Sequence, residues 1–277
     1  MRLQTTIGRT FLRAPILLLA GLFLGVLFLP ELIRLMPKSQ LRRGTVSKCT
    51  SANYCNTSTS IGFKPKAVIF YWTSVTAHGF TIDSTGGYGF AASTTSSVPQ
   101  QRAVAAVLGN DSDATAEGAR LRTASSSIIM AVGTNTHTLD AFASTTAFTS
   151  TGFNLGWGGV NTTGYIVQYY AIGGEDITDT DVQTFWVTTS GSSQATSTLS
   201  FKPDMLFFAW NLTSGLAIDA VTQNMGSIGL GMASSSTAQA SMFAMVDDAD
   251  GGNISKRWQQ RTPLNHHYLN RGQSRSE

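Results

Sequence analysis

Apolar residues in this chain gather in short blocks of strand length, separated by glycine, asparagine, aspartate and runs of hydroxyl residues. The clearest block opens with Phe63-Lys64-Pro65 and continues Lys66-Ala67-Val68-Ile69-Phe70-Tyr71-Trp72. A proline turn followed by β-branched and aromatic residues predicts the start of a strand buried on both faces. Further strand-length blocks follow at Gly87 to Ala92, Ala103 to Leu108 and residues 127 to 132. Gly152-Phe153-Asn154-Leu155-Gly156-Trp157 alternates, so its Phe, Leu and Trp share one side. Tyr165 to Ile172 is strongly β-prone and ends at Gly173-Gly174, while Asn110-Asp111-Ser112-Asp113 and Asn161-Thr162-Thr163-Gly164 have turn composition. No long stretch of helical period occurs after residue 40. The pattern predicts an antiparallel β-sandwich.

The opening block comes back. Phe201-Lys202-Pro203-Asp204-Met205-Leu206-Phe207-Phe208-Ala209-Trp210 repeats it 138 residues on. Gly229 to Ser234 echoes Gly89 to Ser93, Met242 to Val246 echoes Val104 to Leu108, and Arg261-Thr262 echoes Arg122-Thr123. Two copies imply two related units. The first continues for about fifty residues past Thr123, whereas the second meets the last residues, Pro263 to Glu277, which lack a strand pattern. A sandwich without its closing strands exposes a sheet edge and half a core. The expectation is therefore a fragment, with strands from a partner chain or a poorly ordered second unit as the alternatives.

The N-terminal stretch has a different pattern. Ala14 to Pro30 carries no charge and follows Arg2, Arg9 and Arg13. It reads as an apolar helix or signal anchor, or as an extension upstream of the true start, and its charge-free run is short for the ~20 residues that span a bilayer. Membrane contact, if any, would run through residues 14 to 36, and positive charge on both sides leaves orientation open. The expected organisation is an anchor or extension over 1–43, a linker over 44–62, a first sandwich unit over 63–187, a second, incomplete unit over 188–262 and a disordered tail over 263–277. The fold class is all-β, two tandem sandwich units preceded by an apolar helix.

Composition and charge narrow the chemistry. Charged residues make up only 13% of the 277, and the formal net charge is +3. Residues 1 to 48 hold eight Lys/Arg and one Glu, a net of +7, whereas the remainder is −4. The body is thus mildly acidic, and nothing favours a nucleic-acid partner. Cys49 and Cys55 could close a small loop in an oxidising compartment or remain two free thiols in a reducing one.

Catalysis has little support. His78, His137, His266 and His267 lack a neighbouring nucleophile or motif spacing, there is no Gly-x-Ser-x-Gly elbow, and Gly86-Gly87-Tyr88-Gly89 leads into a strand instead of a helix. Two acidic groups, Asp176, Asp179 and Asp181 after the Tyr-rich strand and Asp247, Asp248 and Asp250 in a turn, are candidate Ca²⁺ ligands. Solvated turns account for them equally well, and no other cofactor is expected. Trp157, Tyr165, Tyr169 and Tyr170 are the candidate binding residues. Tyr169 and Tyr170 are adjacent in a strand, so they cannot both enter the core. An outward ring can stack on a sugar or anchor a protein contact.

The Phe-x-Pro-Lys strand, Phe153 to Trp157 after Thr151-Gly152, and Tyr165 to Gly174 resemble tail-region virion proteins of bacteriophages and prophages. More distantly they are similar to H-type lectin domains, in which a Phe-x-Pro strand opens and an aromatic-x-Ala-Ile-Gly strand closes a six-stranded antiparallel sandwich. The resemblance covers about residues 60 to 175. Relative to it, residues 73 to 126 are an insertion, and no sugar-contact residue carries over. It implies a non-enzymatic structural or adhesion protein of the virion, homo-oligomeric or bound to other virion subunits, that presents loops to the host surface or to neighbouring subunits, with a host-surface carbohydrate as a candidate partner. The alternative is a membrane-anchored lectin or adhesin of the bacterial cell envelope.

Overall fold

Residues with a branched Cβ or a broad ring pack well on a pleated surface, and their side chains leave a strand on alternate faces. The computed structural model describes residues 39–50, 54–73, 76–77, 84–109, 119–124, 126–132, 139–159, 164–185, 199–211, 221–223, 225–247 and 255–261. The apolar N-terminal segment, all four histidines, the 110–113 turn and the 263–277 tail lie outside these residues.

Among the described residues the strands are β1 (Ser39–Ser47), β2 (Cys55–Ser60), β3 (Pro65–Thr73), β4 (Ser84–Ala92), β5 (Gln100–Gly109), β6 (Ala119–Ala124), β7 (Ile129–Val132), β8 (Leu139–Thr149) and β9 (Gly152–Gly159). They continue as β10 (Ile166–Gly174), β11 (Leu206–Trp210), β12 (Val221–Gln223), β13 (Met225–Ala233), β14 (Gln239–Asp247) and β15 (Ser255–Arg261). Three sheets result: a seven-stranded sheet ordered β1-β10-β3-β4-β5-β6-β12, a four-stranded sheet β2-β9-β8-β7, and a four-stranded sheet β11-β13-β14-β15. The fold is all-β with antiparallel pairing.

The first two sheets enclose one core. Val68, Phe70 and Trp72 of β3, with Val167, Tyr169 and Ala171 of β10, meet Phe148, Phe153, Leu155 and Trp157 of the second sheet. Phe153 is the hinge of this contact: its ring stands edge-on to Phe70 at 5.5 Å and to Tyr169 at 5.1 Å. Burying a side chain of this size stabilises by about 1.5–3 kcal/mol, and the edge-to-face geometry adds to it. The opening strand is not buried equally on both faces. Val68, Phe70 and Trp72 are buried, whereas Ile69 and Tyr71 are only half-buried, because the second sheet covers one face of β3.

Much of the stretch expected as a linker is strand. β1 runs through Ser47, and β2 pairs residue by residue with β9, from Cys55 opposite Trp157 to Ser60 opposite Gly152. Its hydroxyl-rich sequence alternates half-buried and exposed positions. Thr57 turns inward, where its Oγ1 accepts a 2.9 Å bond from the Trp157 indole. Cys49 and Cys55 are joined by a disulfide and pack at the margin of the core.

Two four-strand runs share their order, and their first three strands share a register in which Gly229 takes the place of Gly87 and not, as the sequence echo suggests, of Gly89; in the fourth, Arg261 lies opposite Ser241, whereas Arg122 lies opposite Ala105, the counterpart of Phe243. The sequence β3-β4-β5-β6 within the first sheet matches β11-β13-β14-β15. Trp72 pairs with Gly87 and Trp210 with Gly229; Val68 pairs with Ala91 and Leu206 with Ala233. Gly87 in turn faces Ala105, and Gly229 faces Phe243. In both runs the tryptophan ring comes close over the glycine, so a Cβ on Gly87 or Gly229 would collide with it. The two runs differ in their surroundings. β12 leaves the second run to pair with β6, and β13 packs across β5 and β6. The described residues from Gln40 onward accordingly form one compact unit.

Candidate functional site

The alternation that fills the core also builds the opposite face of the seven-stranded sheet. With Val68, Phe70 and Trp72 turned inward, Ile69 and Tyr71 must turn outward, and the same parity on β10 turns Gln168 and Tyr170 outward. Register then sets neighbours. Gln168, Tyr71, Tyr88 and Val104 form one row across β10, β3, β4 and β5, and Tyr170, Ile69, Phe90 and Arg102 form the next.

Three tyrosines meet in these rows. The Tyr71 and Tyr170 rings stack at 6.0 Å with 18° between planes, the diagonal contact that neighbouring strands allow. The Tyr71 hydroxyl donates to the Gln168 side-chain carbonyl. Tyr170 is 38% exposed and Gln168 is exposed. Burial raises the Tyr71 pKa above its ordinary value, as do the neighbouring Tyr170, through charge and hydrogen bonding, and Tyr88, while Arg43 of β1 pulls it back down. Burial likewise raises Tyr88. The result is a neutral aromatic surface with a guanidinium beside it and amide and hydroxyl groups along its rim.

Of the residues singled out from the sequence, Tyr170 belongs to this surface and the other three do not. Trp157 is in the core, with its indole nitrogen satisfied by Thr57. Tyr169 is in the core against Phe153, and Gly44 of β1 makes room for the end of its ring. Tyr165 is buried under the Lys48 ammonium, 5.8 Å from its ring centroid. Three residues that join Tyr170, namely Tyr71, Tyr88 and Gln168, are absent from that set. Their signal lies in parity: each is the aromatic or polar residue at the outward position of an otherwise apolar strand.

The acidic residues are dispersed in their roles. Asp181 accepts from its neighbours Val182 N at 2.8 Å and Gln183 Nε2 at 2.6 Å, and the Gln100 amide also lies against it. These bonds help to lay residues 175–185 along the sheet, where Lys66 Nζ donates to the Ile177 carbonyl and Thr180 Oγ1 donates to the Lys66 carbonyl. Asp176 and Asp179 are exposed. Among the described residues no group of three His, Cys, Asp or Glu side chains comes together as a metal site. Asp248 and Asp250 lie outside the described residues, as does the side chain of Asp247.

No protein-family model, curated protein or solved structure matches this chain.

Proposed function

We propose that the chain is a non-enzymatic adhesion protein whose outward tyrosine surface, Tyr170, Tyr71 and Tyr88 with Gln168 and Arg43, binds carbohydrate. The observation that carries this reading is the stacked Tyr71–Tyr170 pair held on the sheet face opposite the core. Sugar rings present C–H faces that settle on aromatic rings, and amide, hydroxyl and guanidinium groups at the rim can bond their hydroxyls. A ready-made stacked pair needs little reordering to accept such a ring, which lowers the cost of binding.

In this reading the two strand runs of like order are tandem related units, within residues 63–187 and 188–262. The setting is the surface of a virion, as the resemblance to phage tail-region proteins implies, with further copies or other virion subunits as neighbours and a host-surface glycan as ligand. The Cys49–Cys55 disulfide supports a place outside a reducing cytoplasm.

Glycan-array binding followed by calorimetry on the best ligand tests the proposal. Tyr170→Ala should weaken binding about ten-fold, the ~1.4 kcal/mol expected of one aromatic stacking contact. Tyr71→Ala should do the same with the fold retained. Binding unaffected by both substitutions, or no binding to any glycan, would refute it.

A further inference from the structure

We propose, resting on the glycan reading above, that the ligand of the tyrosine surface is an acidic saccharide whose ring lies on Tyr170 and whose carboxylate is held by the Arg43 guanidinium. β1 and β10, nine residues each, are hydrogen-bonded neighbours in the seven-stranded sheet. Two contacts fix how they run. Just past the end of β1 the Lys48 N–H donates to the Tyr165 carbonyl at 2.8 Å. Four residues back along β1, the core side of Gly44 meets the hydroxyl of Tyr169, which is four residues forward from Tyr165. A step down one strand is thus a step up the other, the antiparallel register that sets Arg43 beside Tyr170 and Thr45 beside Gln168. Parity settles the face. Gly44 and Val46 turn to the core side, where Val46 joins the buried cluster, so Arg43 and Thr45 turn outward, and both are exposed.

The two tyrosine rows, extended onto β1, therefore have a cation next to their exposed ring. From Arg43 and Tyr170 to Arg102 in one row, and from Thr45 and Gln168 to Val104 in the other, they contain two guanidiniums and no carboxylate. Arg43 also draws down the pKa of Tyr71, which puts its charge within reach of both stacked rings. A planar guanidinium grips a planar carboxylate through two parallel N–H···O bonds, stronger than those a neutral sugar hydroxyl accepts. In a uronic or sialic acid the carboxylate is attached to the sugar ring itself. With that ring on Tyr170, the carboxylate needs to reach only one strand spacing, ~4.8 Å, to lie over β1. Arg102 is a poor rival for it. Its Nε is bonded to Thr184, and at three strand spacings from Tyr170, about 14 Å, it lies beyond the ~8 Å over which exposed charges act at physiological salt.

The full chain, probed on an array that carries uronate- and sialate-bearing glycans beside their neutral counterparts, should bind carboxylated glycans most strongly. For the strongest of them, calorimetry should give an affinity about ten-fold above that of its methyl ester, which keeps the sugar and removes the charge. Arg43→Gln should bring the acid down to the affinity of the ester. Arg102→Gln should leave the acid-to-ester ratio as it is, and circular dichroism should be unchanged in both variants. Acid and ester bound equally, or a ratio that survives Arg43→Gln, overturns the proposal. So does a ratio lost in Arg102→Gln instead, which would move the carboxylate to the other end of the row, and so does binding of sulfated glycans in place of carboxylated ones. If only neutral glycans bind and Tyr170→Ala weakens them, the acidic class is overturned while the glycan site stands. If no glycan of either kind binds, the glycan site itself is refuted.

Discussion

Tyr71 and Phe70 are adjacent and chemically close, yet one belongs to the core and the other to the outer surface. Parity alone separates them, and the same holds for Tyr169 and Tyr170. From the sequence it follows that one of that second pair must face out; which one depends on the register that sets Tyr169 opposite Phe70 and against Phe153. The choice has a titration consequence. Burial raises the pKa values of Tyr71, Tyr88 and Tyr169 above the ordinary value near 10. The folded state therefore favours the neutral phenol more than the unfolded state does. The stability this contributes is complete below the unfolded pKa of about 10 and is lost as pH rises through the higher folded values. The denaturation midpoint should thus be flat with respect to these groups up to about pH 9 and fall above about pH 10. Phenolate absorbance should show Tyr71, Tyr88 and Tyr169 titrating late. Tyr71→Phe removes one of them, so the alkaline fall should become shallower; an unchanged slope would mean that Tyr71 is not held neutral by its surroundings.

At the scale of elements, strands with internal alternation could be read and strands defined by their partner could not. β9 shows its inward Phe153, Leu155 and Trp157 in the sequence itself, and all three are buried. Phe153→Ala should cost about 3–5 kcal/mol, measured by urea denaturation, because its ring touches both Phe70 and Tyr169 and the space cannot close from one side. β2 has only Cys, Asn, Ser and Thr, so no apolar period announces it. Its strand state comes from pairing with β9 and from the Thr57–Trp157 bond. The disulfide that ends at the first residue of β2 closes a loop of six residues' separation. Loop-closure entropy for so short a ring amounts to about 2 kcal/mol. Replacing both cysteines by serine should lower stability by about that amount, and a reducing agent should do the same to the unmodified chain. A loss well under 1 kcal/mol would show that the Cys49 to Cys55 segment is already ordered in the unfolded chain.

For the whole molecule, the likeness of two stretches is visible in the sequence and the way the strands around them interlock is not. Phe63 to Trp72 and Phe201 to Trp210 are alike in sequence, and β3 pairs with β4 as β11 pairs with β13, tryptophan opposite glycine. Nothing in Val221-Thr222-Gln223 announces that these three residues would leave the second run to extend the first sheet beside β6. Such a short strand has no pattern of its own; it is placed by the edge that receives it. A second tie runs through residues 175–185: Arg102 Nε donates to Thr184 Oγ1 at 3.0 Å, and the adjacent Phe185 stands edge-on to Phe208 of β11. The third sheet turns that face toward β5, where Ala106, pointing away from the Ala103 and Ala105 core, is 1% exposed. β5 is thus covered on both faces, and removal of the third sheet would expose one of them. Independent folding of two units joined by a linker would leave no such dependence. The halves should consequently unfold together, with one transition seen by tryptophan fluorescence and far-ultraviolet circular dichroism at the same denaturant concentration. Thr222→Pro, placed opposite Leu121, removes a backbone donor from the short strand that joins them. It should lower the common midpoint if β12 couples the halves. If instead it splits the curve, so that the two probes separate, the halves are stable alone and β12 is the coupling between them; if it changes nothing, β12 contributes no coupling and the Thr184–Phe185 segment is where the connection lies.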